Sequence, residues 1–407
     1  MNLRLNWLDK FKQKNTIDLI KLFLFFFIIF TFSLNLFYKL SINGAYVRGL
    51  LVDYLIPKIY LVEFFLIPFL AIELKQLQKI KIDNYFCLLI LFLIFRQLLS
   101  QSPLAAFVQL LHLAEILLFF NVTKQDLLFK SKLAEKFSLG AMLSVVIFQS
   151  LLAIYQFIFQ KSLLAYQFLG ETNLKDLANI SKGQFFFAEK ILPYGATPHP
   201  NILAGIVVIL SILVLEKIKH FKILQFLLIG NALLIIFLTQ SFSALLTLGL
   251  FLLYKIFVRF KIKKIFIVLV YYFFLLLLPY FLEKLSIALP NYNSIERRIV
   301  LNQASLEMFK NQMLFGVGIN NFTLNLEKYA PNKEAVRFIQ PVHHLLFLIL
   351  SEGGLLLLTV VFLLIKQAKI EKFYTKSIIN LAIASLDHYL FTQFSGISLL
   401  ALFYLFI

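Results

Sequence analysis

The chain has 407 residues and a single cysteine, Cys87. One cysteine forms no intrachain disulfide and no cysteine-based metal site, which excludes a disulfide framework. Charge is scarce as well. Only 15% of residues are charged, against 60% hydrophobic and 16% aromatic. A soluble domain of this size could not hide so much apolar surface. The period-2 alternation of a transmembrane barrel is absent. Internal repeats and low-complexity linkers are not evident either. The first apolar run follows a basic stretch, but it is too long for a signal peptide and lacks a small-residue cleavage site. It reads as a retained span.

What the chain does have is apolar runs of roughly 17 to 25 residues, the length a helix needs to cross about 30 Å of hydrocarbon. Because lipid cannot satisfy backbone polar groups, such runs should be helical. Twelve spans are read at 18–39, 52–73, 83–100, 104–121, 138–159, 199–216, 222–240, 242–258, 265–283, 342–365, 376–390 and 392–407. The expected fold is all-α: a polytopic transmembrane bundle with a large extracytoplasmic loop holding short amphipathic helices. Its expected units are a membrane bundle of nine spans (1–283), the loop (284–341) and the last spans (342–407).

The net charge of +18 could suggest a nucleic-acid partner, but its distribution argues for topology instead. Six segments that fall on the N-terminal side of the membrane hold 24 of the 39 Lys and Arg. By the positive-inside rule both termini are cytoplasmic. No nucleic acid is expected as a partner; membrane lipids are.

Two long stretches outside the spans, 160–198 and 284–341, keep apolar residues among polar ones, and long loops in compact proteins tend to be functional. Within the second, residues 294–312 read as a helix, with Ser294 as N-cap and Glu296 at the positive end of the dipole. At 100° per residue, Ile295, Ile299, Leu306 and Phe309 share one face. Arg298, Asn302 and Ser305 edge it, and Arg297 points nearly opposite. "MLFGVGINNF" (313–322) follows, with two glycines that permit a sharp reversal. It is not a dinucleotide fingerprint, since no strand precedes it and the third glycine is missing.

"RFIQPVHHLLFLILSEGG" (337–354) then places Pro341 for a first helical turn, with His343 in that turn at the mouth of the tenth span. A helix N-terminus disfavours imidazolium, so His343 would stay neutral and able to accept a proton at the outer membrane–water boundary. General base and interfacial anchor are both open for it. His344 points about 100° away along the helix. Metal binding by the pair is disfavoured, because no carboxylate follows at i+4. Inside the spans, Arg96 could neutralise His112 and Glu115. Asp387, near the outer end of the eleventh span, could orient His343 or form a local polar patch with His388. In "LPYGATPHPNILAG" (192–205), His199 and Asn201 sit at the mouth of the sixth span. They serve either a rigid helix start or a site.

Taken in order, "PYGATPHPNILAG", "TQSFSALL", "RRIVLNQASLEMFKNQMLFGVGINNF", "QPVHHLLFLILSEGG" and "LDHYLFT" resemble the signature of the O-antigen ligase and polymerase superfamily. The motifs cover about a quarter of the chain. The core of the resemblance is 284–365. It implies a GT-C-like membrane glycosyltransferase in the cytoplasmic (inner) membrane, with its active site on the extracytoplasmic face. Such an enzyme moves a glycan from an undecaprenyl-diphosphate carrier to a lipid, glycan or protein hydroxyl, without a metal or other cofactor. The family's essential histidine falls on His343, its loop arginine on Arg298 and its late aspartate on Asp387. His344 stands where the family usually has asparagine. Candidate substrate-binding residues are Arg297, Lys190, His199, Asn201, Asn320 and His344.

One departure stands out: Phe242 occupies the place of an arginine that in the family helps hold the diphosphate. Lys190 and Arg297 are the obvious substitutes. The alternatives are a multi-span transporter or flippase of lipid-linked sugars, or a catalytically impaired member.

Overall fold

The computed structural model describes residues 15–406 apart from 41–42, 79–83, 164–166, 175–179, 187, 261–265, 267–268, 271, 279–280, 282–291, 332–338 and 368–376. The expected ninth span (265–283) is described only in part, with a π-helical turn at Phe273–Leu277. The start of the 284–341 loop and much of the basic sequence used for the charge argument lie outside the described residues.

Helices dominate the described residues. In chain order they are α1 (Thr16–Phe32), α2 (Glu63–Ile72), α3 (Asn84–Leu98), α4 (Pro103–Gln125), α5 (Lys132–Phe159), α6 (Pro200–Lys217) and α7 (Lys222–Thr239). They continue with α8 (Phe242–Phe260), α9 (Tyr292–Asn311), α10 (Phe322–Tyr329), α11 (Leu345–Gln367), α12 (Leu381–Leu386), α13 (Tyr389–Thr392) and α14 (Phe394–Phe406). Six are long and apolar enough to cross a membrane: α4 to α8, and Leu345–Leu364 of α11. This is a multi-pass membrane protein. The expected count of twelve is not met among the described residues.

Two departures from that count have a physical reason. Residues 52–62, expected as the start of a span, form a 3₁₀ turn (Asp53–Leu55) and strand β4 (Lys58–Tyr60). β4 pairs antiparallel with β1 (Phe37–Lys39), and β2 (Tyr46–Val47) with β3 (Leu50–Leu51) forms a small hairpin between them. Pro57 cannot continue a helix, and Asp53 is held between Lys39 at 2.9 Å and Lys58 at 2.5 Å. The helix therefore begins only at Glu63.

The expected eleventh span is broken. α12 ends at Asp387, whose backbone is extended (φ −144°, ψ 138°), before α13 restarts. Irregular backbone at membrane depth is tolerated only where protein encloses it. Here α12 and α13 are almost wholly buried.

At the centre lies α6, whose residues from Ile202 to Val214 are all buried against α5, α7, α8 and α14. Gly205 makes room on this helix: a Cβ there would overlap the hydroxyl of Tyr389.

α11 is split in its middle. Gly354 has φ 59° and ψ −157°, so Leu355 N–H and Leu356 N–H cannot reach the carbonyls one turn back. They donate instead to Met313 and Leu314 carbonyls at 2.9 and 3.0 Å. The freed carbonyls of Ser351 and Glu352 accept from Val317 N–H and Gly318 N–H, both at 2.9 Å. The segment after α9 thus threads into the helix ladder, and every displaced backbone group finds a partner. Gly316 (φ 61°) and Gly318 (φ 110°) give the segment its left-handed backbone.

Candidate active site

α9 presents Arg298 to the bundle interior, as its position at the edge of the apolar stripe suggested, while Arg297 is exposed. The buried face itself differs from the expected one. Leu301, Ala304, Ser305 and Met308 are buried, and these share the face of Arg298 by their i, i+3, i+7 spacing. The helix also starts earlier than expected, at Tyr292, so Ser294 lies inside it and is not its N-cap.

His343 does not lie in the first turn of a helix. α11 begins at Leu345, and Leu348 N–H donates to the His344 carbonyl at 2.9 Å, which makes His344 the N-cap position. His343 therefore sits in a bend just before the helix. The two imidazoles diverge: His344 is buried and stacks on Phe347 with ring centroids 4.5 Å apart. His343 turns instead toward His388, with centroids 5.2 Å apart and planes at 70°. The Nδ1 of His343 is enclosed by protein and has no hydrogen-bond partner. Burial first, and then the Arg298 charge and the neighbouring His388 and His199 imidazoles, hold its imidazole well below the ordinary histidine range.

The break after α12 turns Asp387 and His388 to different neighbours. Asp387 is buried beside Asn201 at the start of α6 and Ser243 at the start of α8, and its Oδ2 is enclosed with no hydrogen-bond partner. The Arg298 charge acts on it directly. His388 lies between His343 and Tyr54, the latter with ring centroids 6.4 Å away, and its Nδ1 is 2.7 Å from Thr392 Oγ1. His199 caps α6, its Nδ1 accepting from Asn201 N–H at 3.1 Å. Nδ1 is therefore unprotonated in the neutral ring, and Nε2–H faces Ser181 Oγ at 3.4 Å. Arg298, His343, Asp387, His388, His199 and Asn201 are thus brought together, from four separate stretches of chain. From sequence, Asp387 could orient His343 or form a local polar patch with His388. The side chain found against His343 is that of His388, and Asp387 groups with Arg298.

The other expected binding residues lie elsewhere. Lys190 is in strand β6 (Ala188–Ile191), paired with β5 (Lys182–Phe185), and its ammonium lies 4.6 Å from the Phe157 ring centroid. Asn320 donates its side-chain amide to the Tyr54 carbonyl at 2.7 Å. Phe242 is half exposed and lines a pocket of about 360 Å³ with Phe185, Phe237 and Leu245. The expected pairing of Arg96 with His112 and Glu115 is replaced by two others. Arg96 donates to the Gly316 carbonyl at 2.9 Å, and His112 lies 3.2 Å from Glu63.

Beneath the cluster, the 316–322 turn is fastened by one carboxylate. Glu352 accepts from Asn320 N–H, Phe322 N–H and the Tyr54 hydroxyl, each at 2.9 Å. Gln97 and Asn321 complete the turn, accepting from Ile319 N–H at 2.8 Å and Ser102 N–H at 2.7 Å. Tyr54 thereby links Glu352 to His388. Sequence reasoning did not pick out Tyr54, Ser243 or Thr392. No local signal marks Tyr54 as a partner of Glu352, 298 positions away, whereas Thr392 stands at i+4 from His388.

A multi-pass helical membrane protein with an arginine, an aspartate and three histidines gathered where a broken helix meets a loop helix is what these observations define. Residues 226–362 match the family model described as O-antigen ligase, so the chain carries an O-antigen ligase domain over about a third of its length. The match runs from α7 to α11 and contains Arg298, His343 and Glu352, while His199, Asp387 and His388 lie outside it. Membership of that family implies glycan ligase or polymerase activity at family level. No curated protein and no solved structure matches the chain.

Proposed function

We propose that the chain transfers a glycan from an undecaprenyl-diphosphate carrier to a hydroxyl acceptor on the extracytoplasmic face of the cytoplasmic membrane. The observation that carries this reading is Arg298 beside a neutral His343 whose buried Nδ1 has no hydrogen-bond partner. The acceptor oxygen attacks the anomeric carbon, and its proton passes to the His343 imidazole. With Nδ1 enclosed by protein, Nε2 is the nitrogen that receives it. As the new C–O bond forms, the bond from the anomeric carbon to the diphosphate oxygen breaks, and the diphosphate leaves with the electron pair.

Arg298 meets the charge that develops on the leaving group, and its planar fork suits two phosphate oxygens at once. Asp387, beside Asn201 and Ser243, holds the guanidinium in place. Because the leaving group is already good, positioning and charge stabilisation are the contributions the protein has to make. The Phe242 position leaves the diphosphate with Arg298 as the guanidinium nearest His343.

The test uses purified protein, an undecaprenyl-diphosphate oligosaccharide and a panel of lipid, glycan and peptide hydroxyl acceptors. Release of undecaprenyl diphosphate should require both an acceptor and His343. Full release by correctly inserted His343→Ala protein would refute the assignment. Transport of the lipid-linked glycan without any release would favour a flippase.

A further inference from the structure

An imidazole base is ordinarily oriented by a hydrogen bond from its second nitrogen to a carboxylate or carbonyl. His343 lacks that device, because its Nδ1 is buried with no partner. The nearby aspartate does not supply it, since the Asp387 Oδ2 is likewise buried with no hydrogen-bond partner. Something else must fix the ring.

Among the described residues, the ring that packs on that of His343 is that of His388. His388 is itself held on three sides. Its Nδ1 meets the Thr392 hydroxyl at 2.7 Å, and its backbone carbonyl accepts from Phe391 N–H at 3.0 Å. Its ring packs edge to face on Tyr54, whose hydroxyl is tied to Glu352. The break at Asp387 is what frees it to do so: in an unbroken helix, residues 387 and 388 would point about 100° apart with no change of backbone direction. The extended Asp387 sends the two side chains to opposite partners.

We infer that His388 is a positioning residue that sets the ring orientation and local polarity of His343, with the Thr392 hydroxyl holding the His388 ring through its Nδ1. This rests on the reading of His343 as the base. Among the described residues, the charged and titratable groups around the pair are Arg298, His199, Asp387 and Tyr54, the last tied to Glu352. As a neutral ring packed edge to face, His388 fills space that water would otherwise enter and keeps the base aimed along one line. It makes no covalent step and takes no proton from substrate.

The test needs no knowledge of the acceptor. The chain has six histidines, so nitrogen-15 histidine spectra of the full-length protein in lipid nanodiscs can be assigned by single substitutions. In His388→Ala and His388→Phe the tautomer signature of His343 should change, and with Ala its titration should rise toward the ordinary histidine value. Thr392→Val should move the His343 signals in the same sense, and Thr392→Ser should restore them, although neither residue touches His343. Unchanged His343 signals in Thr392→Val and His388→Phe would overturn the proposal even if His388→Ala failed to fold.

With donor and a productive acceptor, His388→Ala should lower kcat by about 10- to 100-fold, the scale of a small misplacement, with little change in KM for the donor. Parent-like kcat in His388→Ala alongside inactive His343→Ala would refute the positioning role and leave the base intact. Activity in His343→Ala would refute the base instead.

Discussion

Glu352 offers a test of how the site is supported. Its carboxylate accepts three buried hydrogen bonds, two from backbone N–H groups of the 316–322 turn and one from Tyr54. Glutamine has the same shape but only one acceptor oxygen. That oxygen will take the Oε1 position, where Phe322 N–H and the Tyr54 hydroxyl both donate. The NH₂ group is then left facing Asn320 N–H, donor against donor. One buried unsatisfied donor costs about 1–3 kcal/mol, and the loss of a charged acceptor weakens the remaining two bonds. Alanine strands all three donors and removes packing, so its cost should be about 4 kcal/mol or more.

The order parent, Glu352→Gln, Glu352→Ala should appear in thermal unfolding followed by size-exclusion chromatography in a single detergent. The functional effect should exceed what stability alone gives. Slackening Tyr54 also loosens the support of His388, so a Gln variant that is fully folded at assay temperature should still turn over more slowly. An alanine variant as stable as the parent would refute the claim that this carboxylate fastens the turn.

Two further outcomes follow from the site. Arg298→Lys keeps a positive charge near Asp387 but loses the planar fork. Turnover should fall by about 10-fold or more while the protein remains folded, as measured by steady-state release of the lipid diphosphate. The pH dependence follows from the lowered affinity of His343 for protons. The ring is neutral above that lowered value, so kcat/KM should hold level as pH falls through 6.5 and decline only at distinctly lower pH. A decline centred at or above 6.5 would contradict the enclosed, Arg298-facing position of the free base.

Parts of this architecture were legible in the sequence, and particular residues show why. Apolar runs such as 200–217 and 222–239 are helices because nothing in lipid can satisfy a backbone except the helix itself. Arg298 could be placed on the inward side of its helix from spacing alone. The same reasoning misjudged the face around it, since Leu301 and Met308, not Ile299 and Phe309, meet α11. Periodicity fixes which residues share a face, and the neighbour decides which face is covered. At Asp387 the apolar pattern reads straight through a helix, yet the chain breaks there, because the carboxyl finds Asn201 and Ser243 only once α6 and α8 are in place. His343 was visible as a candidate base, but its setting just before the helix follows from α11 beginning at Leu345.

The sequence by itself determined that this is a helical, multi-pass membrane protein, and it supplied Arg298, His343 and Asp387 as the residues to follow. These are local properties: apolar length, spacing along a helix, and motif order. Only the tertiary structure decided who meets whom. It grouped Asp387 with Arg298, set His388 against His343, and brought Tyr54 across the chain to Glu352. Such pairings depend on distances between elements far apart in the chain. Helix packing and the splitting of α11 at Gly354 set those distances, and no local pattern carries them.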